Sequence, residues 1–183
     1  MINKFDKIQI LRDFNLNTEN SVLIKDKQPN PFNSDVSIRT QWPYKTVKKT
    51  PHYPVVRKKD FIESRDELLE IGVELIVAEC IDPKDCKFAG CILKDGSEMI
   101  IEIADGPGTV RRVTHDYLID RRYIISSFFP HTNDPEVNDI ILEVYKVDRE
   151  YDLPDSYIFE FSYYNIPVGY KHTNIVFWEF YEV

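Results

Sequence analysis

The chain has 183 residues, 43% of them hydrophobic and 13% aromatic, which is material for one medium domain or two tightly packed lobes and too rich in packing groups for a disordered chain. Six glycines and eleven prolines with no repeat period exclude collagen-like and coiled-coil classes. A formal charge of -8, from 31 acids against 23 bases, argues against nucleic acid as the main partner, because backbone phosphates demand a positive surface.

Residues 1–20 mix Lys, Asp, Arg and Asn into their apolar positions, so they read as neither a signal peptide nor a span, and no run elsewhere approaches the ~20 apolar residues of a membrane helix. A cytoplasmic protein without membrane contact is expected. Within residues 1–34, taken as an N-terminal extension, a short helix is predicted over 7–14, a short strand over 22–24 and a polar loop over 25–34. Residues 35–75 are predicted to form a small αβ lobe. It begins with the alternating strand Val36-Ser-Ile-Arg39, continues through a basic and aromatic loop over 41–53, and reaches a second short strand over 54–57. From 36 to 59 there is no acid, while Arg39, Lys45, Lys48, Lys49, Arg57, Lys58 and Lys59 all fall there. That stretch either meets an anion or is a solvated edge paired by the acidic remainder. A helix is predicted over 60–71, on the capping-box pattern Ser64-Arg-Asp-Glu67 and the stop at Gly72.

Residues 76–183 are predicted to be a larger, mostly antiparallel β lobe. A mostly apolar strand covers 73–81. Strands over 87–93 and 97–104 are joined through Asp95-Gly96, a dipeptide favouring a tight hairpin turn. Further strands are predicted over 109–114 and 123–129. Asp134-Pro135 opens a helix over 134–149 whose Val137, Ile140, Ile141, Val144 and Tyr145 recur at helical spacing. Strands over 157–164 and 174–181 close the chain, giving an α+β fold. The three cysteines, Cys80, Cys86 and Cys91, are odd in number and lack a Cys-x-x-Cys pair, so neither a disulfide scaffold nor structural zinc is expected. No Gly-x-x-x-x-Gly-Lys loop, Gly-x-Gly-x-x-Gly fingerprint or Ser-His-Asp order is present.

Three segments carry a resemblance. They are Glu74-Leu-Ile-Val-Ala-Glu-Cys-Ile-Asp-Pro83; the run from Phe88-Ala-Gly-Cys91 through Ile101-Glu-Ile103 to Gly106-Pro-Gly108; and the late strands Ile158-Phe-Glu-Phe161 and Val176-Phe-Trp-Glu-Phe180. In this order they resemble an ATP-grasp nucleotide-binding module, and are similar to the nucleotide-binding domain of phosphoenolpyruvate synthase and pyruvate phosphate dikinase.

The resemblance implies ATP and Mg as cofactors bound between two lobes. Arg39 would meet the nucleotide phosphates as a permanent fork-shaped donor; the alternative is a strand arginine paired with a surface acid. Lys45, Lys48 and Lys49 would lie on the loop over the phosphates, although that loop normally carries glycines and 42–53 has none. Glu79 matches the hinge acid, with the backbone of Cys80 and Ile81 reading the adenine edge. A mid-strand carboxylate needs a partner to be buried, unless it faces water on an edge. Glu160 and Glu179 would hold magnesium if strand register brings them to one face. The family often has asparagine two residues after the second acid, where this chain has Tyr181. Arg111 and Arg112 either reach the transferred phosphate as catalytic charges or lie on the surface.

The implied function is phosphoryl transfer or acyl-phosphate ligation to an unidentified small-molecule or protein acceptor. The alternative is a non-catalytic module binding a protein partner or RNA through residues 36–59, where Trp42, Tyr44, His52 and Tyr53 interleave with the bases. Oligomeric state is not readable from these residues.

Overall fold

A computed structural model describes residues 3–43, 51–106 and 119–183. Its contacts divide the chain into two units, Met1–Lys7 with Glu19–Ile81 and Ile8–Thr18 with Asp82–Val183. Residues 1–34 therefore enter both. The predicted strand over 109–114 lies outside the described residues.

The first unit is a four-stranded sheet in the order β1 (Ser21–Ile24), β4 (Glu74–Glu79), β2 (Val36–Gln41), β3 (His52–Val56), with antiparallel neighbours. The near-continuous apolar run Leu75-Ile-Val-Ala78 suits a strand buried on both faces, and β4 is one of the two inner strands. Helix α2 (Phe61–Glu70) lays Phe61 and Leu68 against Ile24, Val36, Ile38, Val56, Leu75 and Val77. The Ser64-to-Glu67 pattern does not cap it. A 3-10 turn, Lys58–Asp60, leads directly into Phe61, which places Ser64 inside the helix.

The second unit is a five-stranded antiparallel sheet in the order β7 (Arg121–Ser126), β6 (Glu98–Asp105), β5 (Cys86–Asp95), β8 (Ser156–Val168), β9 (Thr173–Glu182). One face packs on helix α3 (Pro135–Tyr151), whose Val137, Ile140, Ile141, Val144 and Val147 meet Phe88, Ile92, Ile101, Phe159, Phe161 and Phe177. Asp134 starts this helix by accepting hydrogen bonds from the Glu136 and Val137 amides, with Pro135 in the first turn where its missing N–H costs nothing. Helix α1 (Lys4–Asp13) supplies Leu11, and the segment after it Leu16, to the same core.

The hairpin between β5 and β6 pairs Asp95 with Glu98, so its two loop residues are Gly96 and Ser97 rather than Asp95 and Gly96. Of the two, Gly96 alone takes positive φ, +57°, which is the demand of a turn with glycine first. The α+β class and the two antiparallel sheets agree with the fold read from the sequence. Among the described residues no helix is long and apolar enough to cross a membrane.

Candidate functional site

Direct cross-strand partners lie on the same face of a sheet. In the second unit, one line across the strands joins Arg122 of β7 to Glu102 of β6, Cys91 of β5, Glu160 of β8 and Glu179 of β9. The flanking Ile92, Ile101, Phe159 and Phe180 face α3, so this polar row occupies the opposite face. The two late glutamates are thus direct partners, Glu160 opposite Glu179.

A bulge makes that possible. Glu160 pairs with Glu179, but the next residue, Phe161, pairs with Phe177, leaving Trp178 as an extra residue in β9. With strict alternation Phe177 and Glu179 would share a face. The inserted Trp178 lets Phe177 and Phe180 both reach the apolar core while Glu179 stands against Glu160. Trp178 donates its indole N–H to the Ser162 hydroxyl at 2.8 Å, which anchors the bulge.

Around this pair, the Tyr181 hydroxyl donates to Glu179 Oε2, and the charge of Glu160 also acts on it. Burial first, then the bond and charge of Glu179 and the charge of Glu160, raise its pKa far above that of an ordinary phenol. The Cys91 thiol is pushed up to about 11 by burial and by the charges of Glu102 and Glu160, so it is an inert thiol at neutral pH. At the far end of the row the Arg122 guanidinium lies 3.3 Å from Glu102.

In the first unit, Arg39 projects from β2 and its guanidinium pairs with Glu19. Its Nε is buried without an acceptor among the described residues. Glu79, at the end of β4, accepts from the Asn20 side-chain amide at 2.8 Å and donates its backbone N–H to the Asn20 carbonyl at 3.0 Å. Cys80 is exposed, its pKa raised by partial burial and by Asp35, and Ile81 ends the unit. Lys45, Lys48, Lys49, Arg111 and Arg112 lie outside the described residues. Recesses of about 420 and 470 Å³ flank α3, and none of the candidate residues lines either.

No protein-family model matches this chain, and no curated protein does. Solved structures do. The macrocyclase MdnC of Microcystis aeruginosa, bound with its precursor peptide MdnA, superposes with a TM-score of 0.56 at 10% identity over 97% of this chain and 51% of that one. The D-alanine-D-alanine ligase of Helicobacter pylori gives 0.56 at 14% identity over 98% and 50%. A RiPP-associated ATP-grasp ligase of Chryseobacterium gregarium, in complex with ADP and a leader and core peptide, gives 0.52 at 13% over 97% and 51%. The fold is the ATP-grasp fold. The chain spans about half the length of these structures, and the likeness at such identities is one of fold.

Within an ATP-grasp fold, the acidic pair has the donor chemistry that a hard divalent cation requires. Magnesium keeps several waters and takes one or two carboxylates together with substrate phosphates. Among the described residues no group of three or more His, Cys, Asp or Glu forms a cage. The fit rests on charge. Two carboxylates directly opposed on neighbouring strands repel, and a single phenol proton offsets that repulsion in part. Sequence reasoning found Glu160 and Glu179 but passed over Glu102, Cys91 and Arg122 on the same line. Glu102 carried the same signal as the other two, a mid-strand carboxylate between large apolar neighbours, here Ile101 and Ile103.

Proposed function

We propose that this chain is a compact ATP-grasp module that binds Mg-ATP for phosphoryl transfer or acyl-phosphate ligation to an unidentified acceptor. The supporting observation is the register that sets Glu160 opposite Glu179 on the sheet face away from α3. Glu160 and Glu179 are the proposed magnesium holders. A divalent cation bound there would shield the phosphates and spread the charge that develops during transfer. Arg39 is proposed to meet phosphate oxygens, and the strand end formed by Glu79, Cys80 and Ile81 to read the nucleotide base through backbone groups. Lys45, Lys48 and Lys49, with Arg111 and Arg112, are proposed as further cationic contacts. The finer likeness to phosphoenolpyruvate synthase belongs to this proposal only as far as the shared nucleotide and metal chemistry goes.

Thermal unfolding with millimolar ATP, with magnesium or with chelator, tests it. A ligand that binds the folded state at a hundredfold excess over Kd stabilises by roughly 2.7 kcal/mol, a shift on the order of 5 °C for a chain of this size. The expected result is a magnesium-dependent shift that disappears in Glu160→Gln/Glu179→Gln, with the fold intact. No shift with any nucleotide would overturn the proposal.

One observation favours the second reading, a module that binds a partner or RNA without turnover. Arg39 and Glu79 are already engaged, by Glu19 and Asn20. RNA affinity would then fall steeply with salt and be lost when Lys45, Lys48 and Lys49 become alanine, with both late glutamates irrelevant.

A further inference from the structure

We propose that Tyr181 is the specificity-determining residue of the acidic pair, a built-in competitor whose hydroxyl bonds Glu179 until a divalent cation displaces it. The inference rests on the reading of that pair as a cation site.

The argument starts from register. Glu160 and Glu179 are direct antiparallel partners, and Tyr181 follows Glu179 by two residues on the same face, opposite Ile158. Its ring is half-buried, which keeps the hydroxyl near the carboxylates. That hydroxyl donates to Glu179 Oε2. A hydroxyl carries one proton and two acceptor lone pairs, so it offers one donated bond to a pair of like charges that repel each other across neighbouring strands. A cation drawing oxygen from both glutamates competes with the phenol proton for the charge and orientation of the Glu179 carboxylate, because the bond to Tyr181 turns Oε2 toward the hydroxyl and draws on its negative charge. The two therefore oppose each other at one carboxylate. A side chain with a free carbonyl two residues after the acid would add an oxygen to the cation, whereas the phenol proton opposes it.

The consequence is a raised threshold: the pair accepts a cation only when the cation's attraction exceeds that of a charge-assisted hydrogen bond. Removing the hydroxyl while keeping the ring should tighten cation binding about tenfold, the change expected when such a bond no longer has to be broken.

The test is a titration of the full chain with Mn²⁺ alone, with the free ion followed by electron paramagnetic resonance, in the wild type, Tyr181→Phe and Glu160→Gln/Glu179→Gln. Thermal unfolding without metal confirms that each variant is folded. Tighter binding in Tyr181→Phe, lost in the double glutamate variant, is the expected result. Equal or weaker binding in Tyr181→Phe that still depends on the glutamates overturns the role of Tyr181 and leaves the acidic pair standing as a cation site. No glutamate-dependent binding in either the wild type or Tyr181→Phe overturns both. A second measurement does not depend on the variant folding. Mn²⁺ added to the wild type should perturb the near-ultraviolet absorbance of tyrosine, because a phenol leaves its carboxylate; an unchanged spectrum at saturating Mn²⁺ binding overturns the displacement.

Discussion

Gly90 sits in β5 where no side chain fits. A Cβ built there would lie 2.2 Å from the Glu102 carbonyl oxygen and 2.8 Å from the Phe161 ring. The first is backbone in a paired strand and cannot step aside, and the second belongs to the packed core. Gly90→Ala is therefore expected to cost about 3 kcal/mol or more, the upper range for overpacking a core, read as a lower urea midpoint. Because Gly90 lies beside Cys91, the same change would disturb the polar row, and any cation binding proposed for Glu160 and Glu179 should weaken with the loss of stability. Glu74 shows the opposite balance. Burial works against its charge, but hydrogen bonds from Gln41 and Lys25 outweigh burial and hold its carboxyl below the ordinary value of 4.5. A carboxyl depressed in the folded state adds stability that is fully present above the unfolded pKa and is lost as pH falls through the folded one. Urea unfolding of Glu74→Gln is expected to show a smaller loss of stability between pH 7 and pH 3 than the wild type does.

Between elements, the sheet of the second unit and α3 are joined by ion pairs as well as by the apolar core. Lys94 of β5 meets Asp148 of α3 at 3.0 Å, with the two side chains only 13% and 12% exposed. Lys94 also lies over the Tyr157 ring, 5.4 Å from its centroid. Nearer the other end of the helix, Lys87 bonds Glu136, and Arg121 bonds both Asp105 and Asp134. Removing one partner of a mostly buried pair strands the other charge. Lys94→Met is expected to destabilise by about 3 kcal/mol, and Lys94→Met/Asp148→Leu to recover most of that loss, measured by chemical unfolding of both variants. The bulge at Trp178 matters at this same scale. It was not legible in Val176-Phe-Trp-Glu-Phe180, because alternation by two residues has no means of announcing an inserted one. The register was settled by packing, since Phe177 and Phe180 both gain burial against the core.

For the molecule as a whole, residues 8–18 belong with a unit that resumes only at Asp82. Leu11 and Leu16 are fully buried in its core. Asn17 donates to the Val168 and Ile175 carbonyls and accepts from the Lys171 amide through its side chain, while its own carbonyl accepts from Phe177. Each leucine lost from a core costs about 2–5 kcal/mol, and together these approach the whole margin of a typical domain. A chain starting at Glu19 is expected to lose cooperative unfolding of the second unit, seen as weakened near-ultraviolet dichroism at room temperature. The sequence by itself determined the α+β class, the antiparallel hairpins, helix α3 with its Asp-Pro start, and the two mid-strand glutamates, because these are written in local periodicity, turn chemistry and the rarity of carboxylates among large apolar neighbours. Tertiary structure alone decided that Leu11 to Asn17 complete a unit that resumes only at Asp82, that Glu19 and Asn20 engage Arg39 and Glu79, and that Tyr181 bonds Glu179 of the acidic pair. The first two are long-range pairings, chosen by which surfaces gain most when buried together, and no local pattern encodes them.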